Sequence, residues 1–232
     1  MKKLVLMSKP VDFDRFVGNY NDLLKEGTAF FSARDAYFAE YKIKWLVRHL
    51  KSTPSRVLEY GCGIGRNIRY LKDAFPDAKI IGSDIANESL AVAREENPTV
   101  DFILERDFSL ANDDRFDLIF VAGVFHHIPA DERSEAMVSL RSRLRTGGQL
   151  IVYEHNPYNP VTQRIVSTCP YDEGVVLLKP KELSRLMSAS GFSVMNTQYC
   201  LFVPPSLRWL TWLEPHLGWL PLGGQYVMQA TC

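Results

Sequence analysis

Three groups of residues in this chain have the types and spacing that chemistry needs. The first is Val57-Leu58-Glu59-Tyr60-Gly61-Cys62-Gly63-Ile64-Gly65, an apolar run that ends near an acid and then turns through G-x-G-x-G. Glycines let a backbone turn sharply and approach a ligand with no Cβ in the way. Cys62, inside that turn, has no base beside it in the sequence and reads as a small filler rather than a nucleophile. The second is Asp84, at the end of the next apolar run, Lys79–Ser83. In a doubly wound fold an acid at that point can accept hydrogen bonds from both hydroxyls of a ribose. The third is a group of imidazoles. Of the five histidines, His126, His127 and His155 follow the apolar runs at 116–121 and 149–153, while His49 and His216 lie elsewhere. A side chain that titrates near neutrality suits removal of a proton from a weak nucleophile. Glu154, beside His155, is placed to orient or ionise a neighbouring imidazole.

The glycine spacing narrows the ligand. A dinucleotide fingerprint, G-x-G-x-x-G, would need its third glycine at position 66, where the chain has Arg66; the third glycine here is Gly65. A pyrophosphate also prefers a helix N-terminus free of negative charge. Glu59 beside the turn suits an ammonium or a ribose better. A nucleoside without a pyrophosphate fits these residues.

Two further segments join this set: Asp107-Phe108, after the apolar run Val100–Leu104, and Val121-Ala122-Gly123. With them the sequence resembles a class I methyltransferase of the small-molecule type, dependent on S-adenosylmethionine (SAM). The resemblance covers about Asp35 to Leu150 and again about Pro180 to the C-terminus. It implies SAM as cofactor and S-adenosylhomocysteine (SAH) as product. It also implies a binding set of Glu59, Gly61, Cys62, Gly63, Gly65, Asp84, Ile85, Asp107, Phe108 and Ala122. Within that set, Glu59 would lie near the methionine end of SAM and Asp84 on the ribose. Ile85 would lie beside the adenine, and Asp107 and Phe108 at its edge. A carbonyl of the 121–123 segment would meet the methionine amine.

Methyl transfer from a sulfonium is an in-line displacement, so positioning carries much of the catalysis. The catalytic candidates are His126, His127 and His155, and spacing does not choose between the first two. Their alternative role is to cap or pack the loop. Tyr20, Tyr37, Phe38 and Tyr41 could cover a sulfonium face-on, or serve as core.

These residues need a scaffold, and the pattern supplies one. Short apolar runs alternate with helical periodicity from 56 to 154, which predicts a mainly parallel sheet with helices on both faces. The expected fold is a three-layer, doubly wound α/β sheet of seven strands with an antiparallel final strand. The strands are expected at 56–60, 79–83, 100–104, 116–121, 149–153, 192–203 and 225–231. Helices are expected from Asp35 to Thr53, over 65–74, from an Asn87 cap, over 131–144 closed by Gly147-Gly148, and over 180–190. In the first of these, Phe38, Trp45 and Leu46 share one side, with Ile43 and Val47 beside them. The chain reads as one methyltransferase domain, 1–232. Within it are an N-terminal helical arm (1–34), a SAM-binding core (35–154), an insert (155–179) and a C-terminal part (180–232) with a Trp-rich insert at 204–224.

Composition bounds the rest. Twenty-seven basic residues balance twenty-seven acidic ones, so there is no electrostatic case for nucleic acid. Cys62, Cys169, Cys200 and Cys232 are scattered, without zinc spacing, so no metal site and no disulfide framework is expected. No run is long and apolar enough to cross a bilayer, and a cytoplasmic protein is expected. Trp209, Trp212 and Trp219 in the second insert suit a substrate lid, a dimer contact, a peripheral membrane patch or ordinary core. The expected function is methyl transfer to O, N or C of a small-molecule acceptor, one form of which is apolar or lipid-linked, by a monomer or homodimer. The alternatives are a nicotinamide-dependent oxidoreductase and a non-catalytic SAM-binding interaction module.

Overall fold

A computed structural model describes residues 36–109, 114–169, 172 and 174–232. Tyr20 and the N-terminal arm lie outside the described residues. The seven strands are β1 (Arg56–Tyr60), β2 (Lys79–Asp84), β3 (Asp101–Leu104), β4 (Phe116–Ala122), β5 (Leu144–His155), β6 (Ser193–Cys200) and β7 (Gln225–Thr231). They form one sheet in the order β3-β2-β1-β4-β5-β7-β6. β1 to β5 pair in parallel. β7 runs antiparallel between β5 and β6. The expected seven-stranded, mainly parallel fold with an antiparallel last strand is therefore present.

Helices cover both faces: α1 (36–49), α2 (Ile68–Ala74), α3 (Asn87–Glu96), α4 (Arg133–Arg143), α5 (Pro160–Thr168), α6 (Pro180–Ala189) and the short α7 (Glu214–Leu217). Alternate residues of the central strands feed two cores. Val57, Leu118, Phe120, Ile151 and Tyr153 meet Ile43 and Leu46 of α1, Ile68 and Leu71 of α2, and Leu90 and Ala93 of α3. Leu58, Ile119, Val121, Leu150 and Val152 meet Met137 and Leu140 of α4 and Leu183 and Met187 of α6. Strands buried on both faces read as continuous apolar runs, which is why β1 and β4 are visible in the sequence.

The sheet order reverses at β1, whose neighbours are β2 on one side and β4 on the other. Ligands of open α/β sheets bind beyond the carboxyl ends of the strands at such a switch point. The bend at Gly61 and the turn at Gly123 leave the carboxyl ends of these two neighbours, β1 and β4.

Several local expectations need correction. Val47 is half exposed rather than inward. Asn87 is the first residue of α3 and not its cap. Ala86 holds the cap position, and its N–H is taken by Asp84 Oδ1 at 2.9 Å. α4 ends at Arg143, and Leu144 already pairs with Phe116 in β5. Gly147-Gly148 therefore forms a bulge inside β5 rather than a helix cap. A Cβ on Gly148 would stand 2.8 Å from Arg145 O, which only glycine avoids. The 155–179 insert carries α5, whose Asn159 side chain accepts from Val161 N and Thr162 N ahead of Pro160.

The Trp-rich insert does not pack its indoles as core. Trp209, Trp212 and Trp219 are 70%, 65% and 76% exposed. The insert is anchored by Glu214, whose Oε1 accepts from Phe202 N and Val203 N at 2.8 and 2.9 Å. Among the described residues no helix is long and apolar enough to cross a membrane.

Candidate active site

The glycine bend begins where β1 ends. Gly61 has φ +67°, and a Cβ there would lie 2.4 Å from Val124 Cγ2. The bend after β1 thus packs directly on the turn after β4. Above Gly63 there is open space within 4 Å of a built Cβ. Gly63 N–H donates to Asp84 Oδ2 at 2.7 Å, and Cys62 N–H to Ser83 O at 2.9 Å, so the ends of β1 and β2 are tied together. Burial raises the Asp84 carboxyl above its ordinary range against the pull of those N–H donors. Cys62 is buried, and burial drives its thiol far above the ordinary range. This agrees with a filler rather than a nucleophile.

Glu59 is 1% exposed. Its Oε1 accepts from Asn67 Nδ2 at 2.6 Å, while Oε2 is buried with no hydrogen-bond partner among the described residues. Burial pushes its carboxyl up to about 8, opposed by the Asn67 hydrogen bond and by Lys42. An unpaired oxygen in such a place costs free energy unless a donor meets it.

The adenine-side candidates lie around β2 and β3. Ile85 is an apolar side chain 67% exposed just past β2. Asp107 ends a short 3₁₀ turn, Glu105–Asp107, and its carboxylate is exposed. Phe108 lies under the Arg143 guanidinium at 4.0 Å, and that guanidinium makes two hydrogen bonds to Glu105 at 2.9 and 2.8 Å. Ala122 closes β4, and the next residue's N–H, Gly123, donates to Tyr153 O at 2.8 Å.

The three histidines lie together, with an addition that the sequence did not signal. Glu154, fully buried at the end of β5, accepts from Val124 N at 3.1 Å and Phe125 N at 2.7 Å through Oε1. Its Oε2 lies 2.6 Å from His126 Nδ1. The rings of His127 and His155 lie 4.0 and 5.0 Å from that of His126. Asp172, from the insert, brings Oδ1 within 3.6 Å of His126 Nε2 and 3.4 Å of His127 Nε2. Burial disfavours charge on His126, but the Glu154 and Asp172 carboxylates overcome it and raise its pKa to about 9. Burial, then repulsion from His126, pushes His127 and His155 down to about 4.

Asn67 and Asp172 are the residues that sequence reasoning missed. Asn67 follows the glycine turn as an unremarkable polar residue. Asp172 sits in an insert with no periodicity to mark it. The aromatic candidates of α1 engage another partner: Tyr41 Oη donates to Glu214 Oε2 and Tyr37 Oη to Val203 O, both at 3.0 Å. A cleft of about 600 Å³ lined by Arg56, Lys79, Arg94 and Asp101 lies at the opposite, amino ends of the strands. A second, of about 680 Å³, is lined by Gln163, Val166, Cys169, Asp172 and Val175.

Residues 57–148 match a family model described as a methyltransferase domain. The trans-aconitate 2-methyltransferase of Variovorax paradoxus is 29% identical over 126 residues, 52% of this chain and 48% of that protein. The demethylmenaquinone methyltransferase of Thermus thermophilus is 27% identical over 175 residues, 62% of this chain and 77% of that protein. The chain spans about half the length of the trans-aconitate methyltransferases that it matches. In fold it is similar to a SAM-dependent methyltransferase from Thermotoga maritima described as a possible histamine N-methyltransferase. The TM-score is 0.68 at 23% identity, over 94% of this chain and 97% of that one.

The bend after β1 fits the cofactor of that family. It presents an orphaned carboxylate oxygen for an ammonium, open room over Gly63, and an apolar side chain left in solvent at the rim. The glycine spacing that disfavours a pyrophosphate, the reversal of strand order at β1 and the matched domain agree with one another. Residues 57–148 of this chain are a methyltransferase domain, and the fold around them is that of SAM-dependent methyltransferases.

Proposed function

We propose that the protein transfers the SAM methyl group to a small-molecule acceptor at the carboxyl ends of β1, β4 and β5. The observation that carries this reading is Glu59, a buried carboxylate with one unpartnered oxygen beside an open glycine bend. In this reading Glu59 receives the methionine ammonium, helped by the Ala122 carbonyl. Gly61, Cys62, Gly63 and Gly65 form the bend. Asp84 takes the ribose hydroxyls, Ile85 lies against the adenine, and Asp107 and Phe108 meet its edge. SAM, when bound, supplies an electrophilic methyl on sulfur. His126, His127 and His155 then hold the acceptor, and the neutral His127 and His155 take its proton, with Glu154 fixing the charged His126. The 680 Å³ cleft beside Asp172 gives the acceptor its approach.

The exposed indoles of the 204–224 insert support an apolar or lipid-linked acceptor. Four thiols without a disulfide support a cytoplasmic setting. Calorimetric titration with SAH and, separately, NAD tests the cofactor. SAH should bind and NAD should not, and Asp84→Ala should lose SAH affinity. An NAD-binding protein that ignores SAH overturns the reading. Incubation with SAM and a metabolite extract, followed by mass spectrometry, should then reveal an acceptor gaining one methyl. His127→Ala and His155→Ala should slow that gain while SAH still binds; unchanged rates in both would remove the histidines from the mechanism.

A further inference from the structure

Glu154 holds His126 Nδ1 at 2.6 Å and so turns the other ring nitrogen away from itself. That nitrogen, Nε2, is buried and makes no hydrogen bond within 3.5 Å among the described residues. It faces Asp172 Oδ1 at 3.6 Å, and the same oxygen stands 3.4 Å from His127 Nε2. One ring nitrogen of each histidine and a carboxylate oxygen of Asp172 lie within 4.8 Å of one another. A tetrahedral zinc-type ion with bonds of about 2.0–2.1 Å sets its ligand atoms roughly 3.3–3.5 Å apart. Both imidazole–carboxylate distances, 3.6 and 3.4 Å, are close to that spacing.

We propose that His126 Nε2, His127 Nε2 and Asp172 Oδ1 hold a divalent transition-metal cation of the zinc type at the acceptor end of the site. The donor set is two imidazoles and one carboxylate, which suits zinc and its neighbours better than magnesium or calcium. Three protein ligands with an open fourth position is the pattern of catalytic rather than structural zinc. Glu154 behind His126 completes it, because a metal-ligating histidine usually gives its other N–H to a carboxylate that fixes tautomer and ring orientation. The absence of zinc spacing along the chain has no bearing here. One half of the site comes from the turn after β4 and the other from the insert after β5.

The proposal rests on the methyl-transfer reading only for the use made of the ion. There it polarises the acceptor's hydroxyl. The O–H bond breaks and its proton passes to His155, whose ring lies 5.0 Å from that of His126. The oxygen bonds to the methyl carbon, the carbon–sulfur bond breaks, and neutral SAH leaves.

The test is a Co²⁺ titration of the chelator-stripped full chain, followed by absorption in the visible range, with Zn²⁺ as competitor. One saturable site is expected, with the intense bands of a four- or five-coordinate ion, bleached by Zn²⁺. Asp172→Asn and His127→Ala should each weaken Co²⁺ binding at least about tenfold, and Glu154→Gln about 10–100-fold, the range for a lost outer carboxylate. SAH affinity of Asp172→Asn, measured by calorimetry, reports that the chain is folded. Protein that binds SAH but shows no saturable Co²⁺ binding overturns the metal site and leaves the methyl-transfer reading standing. So does Asp172→Asn protein that binds Co²⁺ as tightly as wild type. Saturable Co²⁺ binding in protein that ignores SAH supports the site and removes the use assigned to it.

Discussion

Asn67 Nδ2 meets one oxygen of Glu59 at 2.6 Å, and the other oxygen of that carboxylate is buried with no hydrogen-bond partner among the described residues. The folded protein without cofactor therefore holds this acid at a penalty, with its pKa raised to about 8 from an ordinary 4.5. Between those pH values the folded chain keeps a proton that the unfolded chain has lost. Stability contributed at this position must then fall as pH rises through that window, and the full penalty stands above it. Glu59→Gln should melt several degrees higher than wild type at about pH 9 and close to it at about pH 5, while binding SAH more weakly. Wild type should also release a proton on binding SAH near neutral pH, seen as a buffer-dependent calorimetric enthalpy that the variant lacks. Equal melting of the two proteins at the higher pH would contradict the raised acid.

Glu154 accepts two backbone N–H groups and orients His126 from a fully buried position. Glu154→Ala strands those donors beside an imidazole without its carboxylate, and should cost about 3–5 kcal/mol in urea unfolding. Glu154→Gln keeps an acceptor for both N–H groups and should cost only about 1–2 kcal/mol. Similar losses in both would mean that the carboxylate's charge, rather than its acceptor geometry, holds the turn.

The bend and the histidine turn touch at Gly61 and Val124. Gly61→Ala combines a positive φ with a Cβ placed 2.4 Å from Val124 Cγ2. It should cost at least about 2 kcal/mol. Val124→Ala in the same chain should restore part of the loss, because the clash is removed and the backbone strain is not. A double-mutant cycle on urea midpoints reads the coupling directly; strict additivity would separate the two turns.

Trp209 and Trp212 stand in solvent, and the insert that carries them is anchored through Glu214 instead. Replacing either indole by alanine should change stability by no more than about 0.5 kcal/mol. Glu214→Ala should destabilise by more, because it frees the buried N–H of Val203 as well as that of Phe202. A large thermal loss in the tryptophan variants would return this insert to the core.

The strands and the glycine bend were legible because they depend on local signals. Val57, Leu58, Leu118 and Ile119 are buried on both faces and form unbroken apolar runs, and turn residues bound them. Asp84 was legible because a doubly wound pattern fixes which strand end it occupies. α5 was hidden because only Thr162 and Val166 turn inward while Val161 and Ile165 face solvent, so no apolar stripe marks it. Its Asn159-Pro160 start was the available sign. The start of β5 was misread because Leu144 completes the helical spacing of Met137 and Leu140, yet pairing with Phe116 claims it for the sheet. Asp172 could not be found by pattern. Its relation to His126 exists only once the insert folds back over β4.

β7 is the seventh strand along the chain but lies between β5 and β6 in the sheet. As the chain leaves the ribosome, β6 has no neighbour to pair with until Gln225–Thr231 slides into the gap. Until then two strand edges stand open side by side, a template for pairing with another copy. Nascent protein should therefore depend on chaperones until Gln225–Thr231 emerges, and deleting that strand should yield aggregate rather than a working enzyme.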